Sequence, residues 1–156
     1  TAYRRQRQMC IRDRLPLHLS VYRASDADAI THNHAPASTA LGLVVDEIPW
    51  SHYYSGMFGG AVRVAPYAEF GTDELARNVT EALDGRSAAL MANHGAITTG
   101  PTVDKALSLL PYLEYICEVH LRAMSTGHPI KVLDDKQTVD ATRGIAGYKP
   151  KVVDEA

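Results

Sequence analysis

The sequence predicts an α/β protein, in which helices pack on a β-sheet, and two observations support this class. Segments with the apolar spacing of amphipathic helices alternate along the chain with short segments of strand character. Several neighbouring segments are separated only by short turns. The chain has 156 residues, 46% of them hydrophobic, which suffices for one domain with a substantial core.

Local patterns place the individual elements. The predicted helices are 15–22, 37–45, 72–83, 102–125 and 134–143, and the predicted strands are 29–34, 61–65, 87–92 and 95–100. Thr72 can cap its helix, because its hydroxyl can accept a hydrogen bond from a free backbone N–H of the first turn. The mostly apolar strand 87–92 is expected to form a hairpin with 95–100. Pro111 is expected to kink the longest helix.

The composition excludes several classes of protein. The 16 basic and 18 acidic residues give a formal net charge of -2, which argues against the basic excess of a nucleic-acid-binding protein. No apolar run approaches the roughly 20 residues that span a membrane. The two cysteines, Cys10 and Cys117, do not make a disulfide framework. We therefore expect a cytoplasmic protein with neither a membrane nor a nucleic acid as its partner.

Residues 1–14 differ from the rest of the chain. They include five arginines and show almost no apolar periodicity, which begins only at Leu15. One interpretation is a basic, solvated tail. We favour a non-native terminus that should be left out of fold reasoning, and we expect a single domain over 15–156.

Two histidines separated by one residue indicate a metal site. His32 and His34 lie on a predicted strand, where residues i and i+2 project from the same face. Imidazole suits zinc and neighbouring divalent metals, and catalytic zinc usually has three protein ligands. His94 is the best candidate for the third, since it follows a buried strand and precedes Gly95, which permits a sharp turn. An HxH pair alone also fits a purely structural role. The rival third ligands are His52, His120 and His128.

Four blocks of the sequence resemble the class II aldolase/adducin family. They are DADAITHNHA at 26–35, IPWSHY at 48–53, APYAEFGT at 65–72 and MANHG at 91–95. Their order and spacing are far more specific than any single block. The resemblance implies a three-layer α/β/α fold with a central, mostly antiparallel β-sheet flanked by helices. It also implies that the chain lacks the N-terminal third of the family's domain, where the substrate phosphate is held.

The resemblance implies roles for individual residues. His32, His34 and His94 match the family's Zn²⁺ ligands. Tyr53 matches a tyrosine that donates a proton to the aldehyde oxygen, and Tyr148 matches a C-terminal tyrosine that closes over the site. The family builds its site between the subunits of a homotetramer, so Tyr53 is expected to serve the metal of a neighbouring chain.

The implied activity is that of a zinc-dependent aldolase, an aldehyde-lyase of carbohydrate metabolism. It cleaves a sugar phosphate, such as L-fuculose 1-phosphate, to dihydroxyacetone phosphate and an aldehyde, with the metal stabilising an enediolate. Other divalent metals remain open, because three imidazoles also accept manganese, cobalt or iron.

Two other kinds of function remain open. One is a pentulose-phosphate 4-epimerase, a dehydratase or a decarboxylase on the same scaffold. The epimerase relatives place an acidic residue near the position of Tyr53, and residues 51–54 contain none. The other is a non-enzymatic, adducin-like binding module, which usually loses the metal ligands that this chain keeps.

One position departs from the family pattern. Relatives carry a glutamate, the general acid/base, just before the segment that matches 15–18, and this chain has Arg14 there. Arginine stays protonated and cannot act as a base. The chain as written is therefore expected to be inactive and to retain metal at best weakly.

Overall fold

The computed structural model describes residues 17–147 and contains a five-stranded β-sheet with helices on both faces. The strands are β1 (Ala29–Asn33), β2 (Glu47–Ile48), β3 (Val62–Ala65), β4 (Ala88–Met91) and β5 (Gly95–Gly100). The helices are α1 (helical residues 17–24), α2 (Pro36–Leu41), a 3-10 helix (Tyr53–Phe58), α3 (Asp73–Ala82), α4 (Val103–Ser125) and α5 (Asp135–Gly147). The predicted helices and strands are confirmed with ends shifted by a few residues, and β2 and the 3-10 helix are additions to them.

The sheet has the strand order β1-β5-β4-β3-β2. Within the described residues, its neighbouring strands pair antiparallel except for β3 and β4, which are parallel. The predicted hairpin is confirmed, since Met91 of β4 lies opposite Gly95 of β5. A parallel pair needs a crossover connection, and α3 supplies it between β3 and β4. The expected mostly antiparallel sheet is thus confirmed, with one parallel pair inside it.

The two faces of the sheet pack against different helices. Ala89 and Met91 share a hydrophobic cluster with residues of α1 and α3, whereas Ala88 and Leu90 share another with α4. This division follows from strand geometry, because successive side chains point to opposite faces. Every residue of β4 is buried, and a fully buried leucine or methionine contributes about 1.5–3 kcal/mol. The result is the expected three-layer α/β/α arrangement.

Side chains satisfy the backbone groups at both ends of α3. The Thr72 hydroxyl accepts a hydrogen bond from the Leu75 N–H at 3.2 Å, so the predicted cap is confirmed. At the other end, the Arg63 guanidinium donates to the Asp84 carbonyl at 2.9 Å and to two carbonyls of the last turn at 3.3 Å. The last carbonyls of a helix lack the usual partner four residues on, and here the Glu81 carbonyl also accepts from the Asp84 N–H at 3.2 Å. Both ends of the crossover helix are therefore held.

Threonine hydroxyls connect β1, β5 and α4. The Thr98 hydroxyl donates to the Ala106 carbonyl at 2.8 Å, and the hydroxyl oxygens of Thr31 and Thr98 are 2.6 Å apart. Because the single hydroxyl proton of Thr98 goes to Ala106, Thr31 donates to Thr98. α4 continues through Pro111, and the kink expected there stays a prediction.

The remaining sequence expectations concern cysteines and the membrane. Cys117 is a buried, free thiol whose pKa is raised by burial and, to a smaller extent, by the nearby Glu114 carboxylate. Cys10 lies outside the described residues. Over residues 17–147, no helix combines the length and the apolar character needed to cross a membrane.

Candidate metal centre

Three histidines meet at one end of the sheet, where β1 ends and β5 begins. His32 lies on β1 opposite Ile97 of β5, and His34 directly follows β1. His94 lies in the turn between β4 and β5. Because β5 pairs antiparallel with both β1 and β4, the end of β1 and this turn lie side by side. The structure thus brings together the three histidines that the sequence singled out.

The three imidazole rings face one another. Their centroids are 4.7 Å apart for His32 and His34, 5.0 Å for His32 and His94, and 5.1 Å for His34 and His94. The Nε2 atoms of His32 and His34 are 2.9 Å apart. One ring nitrogen from each histidine lies within 4.8 Å of the other two. His34 is exposed and the other two are half-buried, so the cluster is open to solvent on one side.

A backbone carbonyl orients the ring of His32. Its Nδ1 atom lies 2.7 Å from the carbonyl oxygen of Ala96. A carbonyl oxygen can only accept, so Nδ1 carries the hydrogen and donates it. In the neutral ring, Nε2 then presents a lone pair toward His34. Hydrogen bonds of this kind fix the tautomer and the orientation of metal-binding histidines.

The nitrogen positions fit a divalent cation. Zinc binds imidazole nitrogen at about 2.0–2.1 Å with tetrahedral geometry, which places two ligand nitrogens about 3.3 Å apart. This spacing lies between the 2.9 Å that separates the Nε2 atoms of His32 and His34 and the 4.8 Å limit for the set. Three protein ligands leave a fourth position for substrate or water. Between residues 17 and 147, this is the one group of three or more ligating side chains that converges in this way.

The turn that carries His94 depends on two unusual backbone positions. Asn93 has a φ of 57°, in the left-handed region that asparagine tolerates better than most residues. A Cβ atom at Gly95 would collide with the backbone oxygen of Asn33 and would lie 2.7 Å from Cδ2 of His34. The lack of a side chain at position 95 therefore lets the end of β1 approach the turn.

The histidines open into a cavity of about 420 Å³, a size suited to a small molecule. Tyr67 and Phe70 line it with rings that are 65% and 66% exposed. The other lining residues are Leu17, Ala68, Gly71, Leu75 and Asn93. A larger cavity of about 880 Å³ borders Arg86 and Lys105, but none of the three histidines lines it. The smaller cavity is the candidate functional site, because the three converging nitrogen donors line it.

The rival histidines do not join this cluster. Nδ1 of His52 accepts a hydrogen bond from the Tyr54 N–H at 3.2 Å and so caps the 3-10 helix. His120 is buried on α4, with Nδ1 3.0 Å from the Ser51 hydroxyl oxygen. Burial lowers the pKa of His52 and of His120, which favours the neutral ring in both. His128 is exposed in the loop after α4.

Tyr53 does not line the cavity of its own chain's histidines. It begins the 3-10 helix, is 50% exposed, and has its ring centroid 4.6 Å from that of His52 and 4.5 Å from that of Tyr54. A hydrogen bond between the Tyr53 and Tyr54 side chains is the main cause that raises the pKa of Tyr54 above 10.0. Tyr148 lies outside the described residues. The catalytic roles of both predicted tyrosines stay predictions.

Sequence reasoning missed the aromatic wall of the cavity. Tyr67 and Phe70 belong to a block that carried the family resemblance, but the block was assigned no role. The available signal was two large aromatic side chains in a segment bounded by Pro66 and Gly71, outside any helix or strand pattern. Loop residues of this kind are disproportionately found in binding sites.

The mixed sheet between two helical layers and the three-histidine site together define the class of the protein. The sequence model of the class II aldolase and adducin N-terminal domain matches residues 5–121. The chain belongs to this family.

Individual relatives are named as sugar-phosphate aldolases. The chain is 37% identical over 122 residues to the L-fuculose phosphate aldolase of Escherichia coli K12. The aligned stretch covers 77% of this chain and 57% of that protein. It is 41% identical over 105 residues to a 5-methylthioribulose-1-phosphate/5-deoxyribulose-1-phosphate aldolase of Rhodospirillum rubrum, which covers 67% of this chain and 48% of that protein. The chain thus spans about half the length of these relatives.

Solved structures agree with the fold. An L-fuculose 1-phosphate aldolase superposes with a TM-score of 0.81 at 33% identity, over 86% of this chain and 63% of that one. YgbL of Escherichia coli, described as a putative aldolase/epimerase/decarboxylase, superposes with a TM-score of 0.70 at 26% identity, over 83% of this chain and 65% of that one.

Gly95→Ala should destabilise the chain, because the added Cβ collides with the Asn33 backbone oxygen. The expected loss in free energy of unfolding is about 1–3 kcal/mol, the usual cost of overpacking, measured by urea unfolding. Gly144→Ala is the matched control, since a Cβ there meets nothing within 4 Å and alanine suits a helix better than glycine. Unchanged stability of Gly95→Ala would contradict the close approach.

The burial of His120 should make stability depend on pH. Desolvation lowers its pKa in the folded chain below the ordinary 6.5. At pH values between that lowered pKa and 6.5, His120 binds more protons in the unfolded chain than in the folded chain. The free energy of unfolding therefore decreases as the pH falls through this window. His120→Asn should therefore lose less stability than wild type between about pH 7.5 and about pH 5 in urea unfolding. His128→Asn, at an exposed position, should keep the wild-type dependence, and an identical pH dependence in His120→Asn would disprove the assignment.

Proposed function

We propose that this protein is a metal-dependent aldolase, with Zn²⁺ as its metal, that cleaves a sugar phosphate to dihydroxyacetone phosphate and an aldehyde. L-fuculose 1-phosphate is the proposed example of a substrate. The observation that carries the proposal is the convergence of His32, His34 and His94 in a cavity of a class II aldolase family member. The names of the relatives described above support the reaction class.

The three histidines are proposed to hold the metal through one ring nitrogen each. A bound divalent cation supplies Lewis acidity that stabilises negative charge on substrate oxygens. Neutral imidazoles add no negative charge to the site, so the cation keeps its full electrophilic strength. Zinc suits three nitrogen ligands with an open position, and other first-row divalent metals fit the same donors.

Tyr53 is proposed to donate a proton to the aldehyde oxygen in the site of a neighbouring chain. Its half-exposed phenol and its distance from the cavity lining of its own chain support this assignment. A homotetramer in which each site lies between subunits would bring the phenol to a partner's histidines. Tyr148, outside the described residues, is proposed to close over the same site.

The proton on carbon needs a base, and the sequence offers none at the matching position. Arg14, which lies outside the described residues, stands where relatives are expected to carry glutamate, and its guanidinium stays protonated. The proposed aldolase therefore has its metal ligands in this chain. It lacks the acid/base carboxylate, because position 14 is an arginine.

The chain should bind about one Zn²⁺ when zinc is supplied in excess, because its nitrogen donors already converge. His94→Ala should remove most of this binding, since the remaining pair leaves the cation with two protein ligands. Metal content per chain in equilibrium dialysis against excess Zn²⁺ is the measurement, because it also registers a weakly held ion. His128→Ala makes the same change at an exposed loop and should keep the wild-type content.

A chain that binds no metal under these conditions would argue for a non-enzymatic binding module. Equal loss of metal in both variants would instead show that the ligands have been assigned wrongly.

Arg14→Glu should raise the rate of dihydroxyacetone phosphate release from L-fuculose 1-phosphate, because it restores a carboxylate at the proposed acid/base position. The expected gain is on the order of 100-fold, the lower range for general acid–base catalysis. A coupled assay with added Zn²⁺ measures it, and the unmodified chain is the reference. Cleavage by the unmodified chain at the rate of the Escherichia coli relative would contradict the assignment of position 14. Equal rates of product release from the two zinc-loaded forms would overturn the assignment of the acid/base role to position 14.

In the Arg14→Glu background, Tyr53→Phe should lower the rate again, because the proton donor is lost. Tyr112→Phe is the matched control, since Tyr112 contributes a ring to the same aromatic cluster through Tyr54. Equal effects of the two substitutions would argue that the Tyr53 hydroxyl has no role of its own.

A further inference from the structure

A carboxylate from α4 binds the backbone of the segment that follows His34. Oε1 of Glu114 accepts a hydrogen bond from the Ala37 N–H at 2.6 Å, and Oε2 accepts one from the Ser38 N–H at 2.9 Å. Ala37 is three residues beyond His34 in sequence and 77 residues before Glu114. Both carboxylate oxygens of one side chain thus serve consecutive backbone groups of one segment.

Local side chains bond only Ala35 in this segment: Asn33 Oδ1 accepts from the Ala35 N–H at 3.5 Å, and the Ser38 hydroxyl donates to the Ala35 carbonyl at 3.1 Å. α2 begins at Pro36, which has no N–H, and the N-cap residue Ala35 has no side-chain oxygen to accept a hydrogen bond. The N–H groups of Ala37 and Ser38 are among the first-turn donors that lack partners inside a helix. Glu114 satisfies both. Hydrogen bonds to an ionised carboxylate are roughly twice as strong as those between neutral groups.

Like His94, His34 lies one residue outside the strand pairing of the sheet. The β1–β5 pairing runs from Ala29 to Asn33 and ends one residue before it. His32, in contrast, lies inside this pairing and also donates to the Ala96 carbonyl. The backbone around His34 is therefore fixed by strand pairing on one side and by the Glu114 carboxylate on the other.

We infer that Glu114 is a positioning residue for the metal centre. Its carboxylate holds the segment that follows His34, so that the His34 imidazole stays in place beside His32 and His94. The inference rests on the proposed metal site. It assigns to Glu114 an effect on metal affinity that is separate from its contribution to stability.

Glu114→Gln is the principal test. Glutamine keeps the size of the side chain but presents an N–H₂ group to one of the two backbone donors. We expect the dissociation constant for Zn²⁺, measured by competition with a chromophoric chelator, to rise on the order of tenfold, as for other groups that orient metal ligands. The visible spectrum of the Co²⁺-loaded chain should change, because the spectrum reports the geometry of the ligands. Glu114→Ala should show a larger effect in the same direction.

Two controls separate positioning from general destabilisation. Glu118→Gln makes the same chemical change one turn further along α4, where the side chain is exposed and pairs with Arg122. Thr102 caps α4, since its hydroxyl accepts a hydrogen bond from the Lys105 N–H. Thr102→Ala therefore lowers the stability of the chain at the start of α4, without changing a bond to α2. Both controls should keep the wild-type Zn²⁺ affinity and Co²⁺ spectrum.

The outcomes are distinguishable. If wild type binds zinc and Glu114→Gln binds it equally well with the same Co²⁺ spectrum, the positioning role is wrong and the metal site stands. If Thr102→Ala weakens zinc binding as much as Glu114→Gln does, Glu114 acts only through stability, and the inference is also overturned. If wild type itself binds no metal, the proposed function fails and the inference fails with it.

Discussion

The pairing of β5 with two antiparallel neighbours is the constraint on which the rest of the structure depends. β5 lies between β1 and β4 in the sheet, so it sets the register of both. Its first residue, Gly95, leaves room for the end of β1, and its Ala96 carbonyl orients His32. Further along β5, the Thr98 hydroxyl connects the strand to α4. The strand β5 therefore sets the register of its two neighbours, leaves room for the end of β1 beside the turn that carries His94, and orients the ring of His32.

The side chains of the candidate site lie on elements that are held by different contacts and differ in exposure. Strand pairing and a closed turn hold His32 and His94, and a distant carboxylate holds the segment after His34. The aromatic side chains Tyr67 and Phe70 border the cavity from an exposed loop. The three histidines are thus held by backbone contacts, whereas the aromatic wall of the cavity lies on a loop, where side chains vary more readily than in strands and helices.

The catalytic role that the family resemblance implies for Tyr53 is not tested by its position within a single chain. The resemblance assigned it to catalysis, whereas the structure places it in an aromatic cluster with His52 and Tyr54 and away from the lining of the histidine cavity. The two statements agree if the site is shared between chains. A residue that acts on a partner's site must be exposed on its own chain, and half of the Tyr53 side chain is exposed.

The sequence by itself determined the elements whose pattern is local. Apolar periodicity located the helices and strands, Thr72 marked a helix start, and the HxH spacing placed His32 and His34 on one face, because each depends only on backbone geometry over a few residues. Tertiary structure alone decided the parallel pairing of β3 with β4 and the contact of Glu114 with the segment after His34. It also separated His94, which the sequence ranked first, from the rival histidines. These contacts join residues far apart in sequence, and their existence depends on strand order and packing, which no local periodicity encodes.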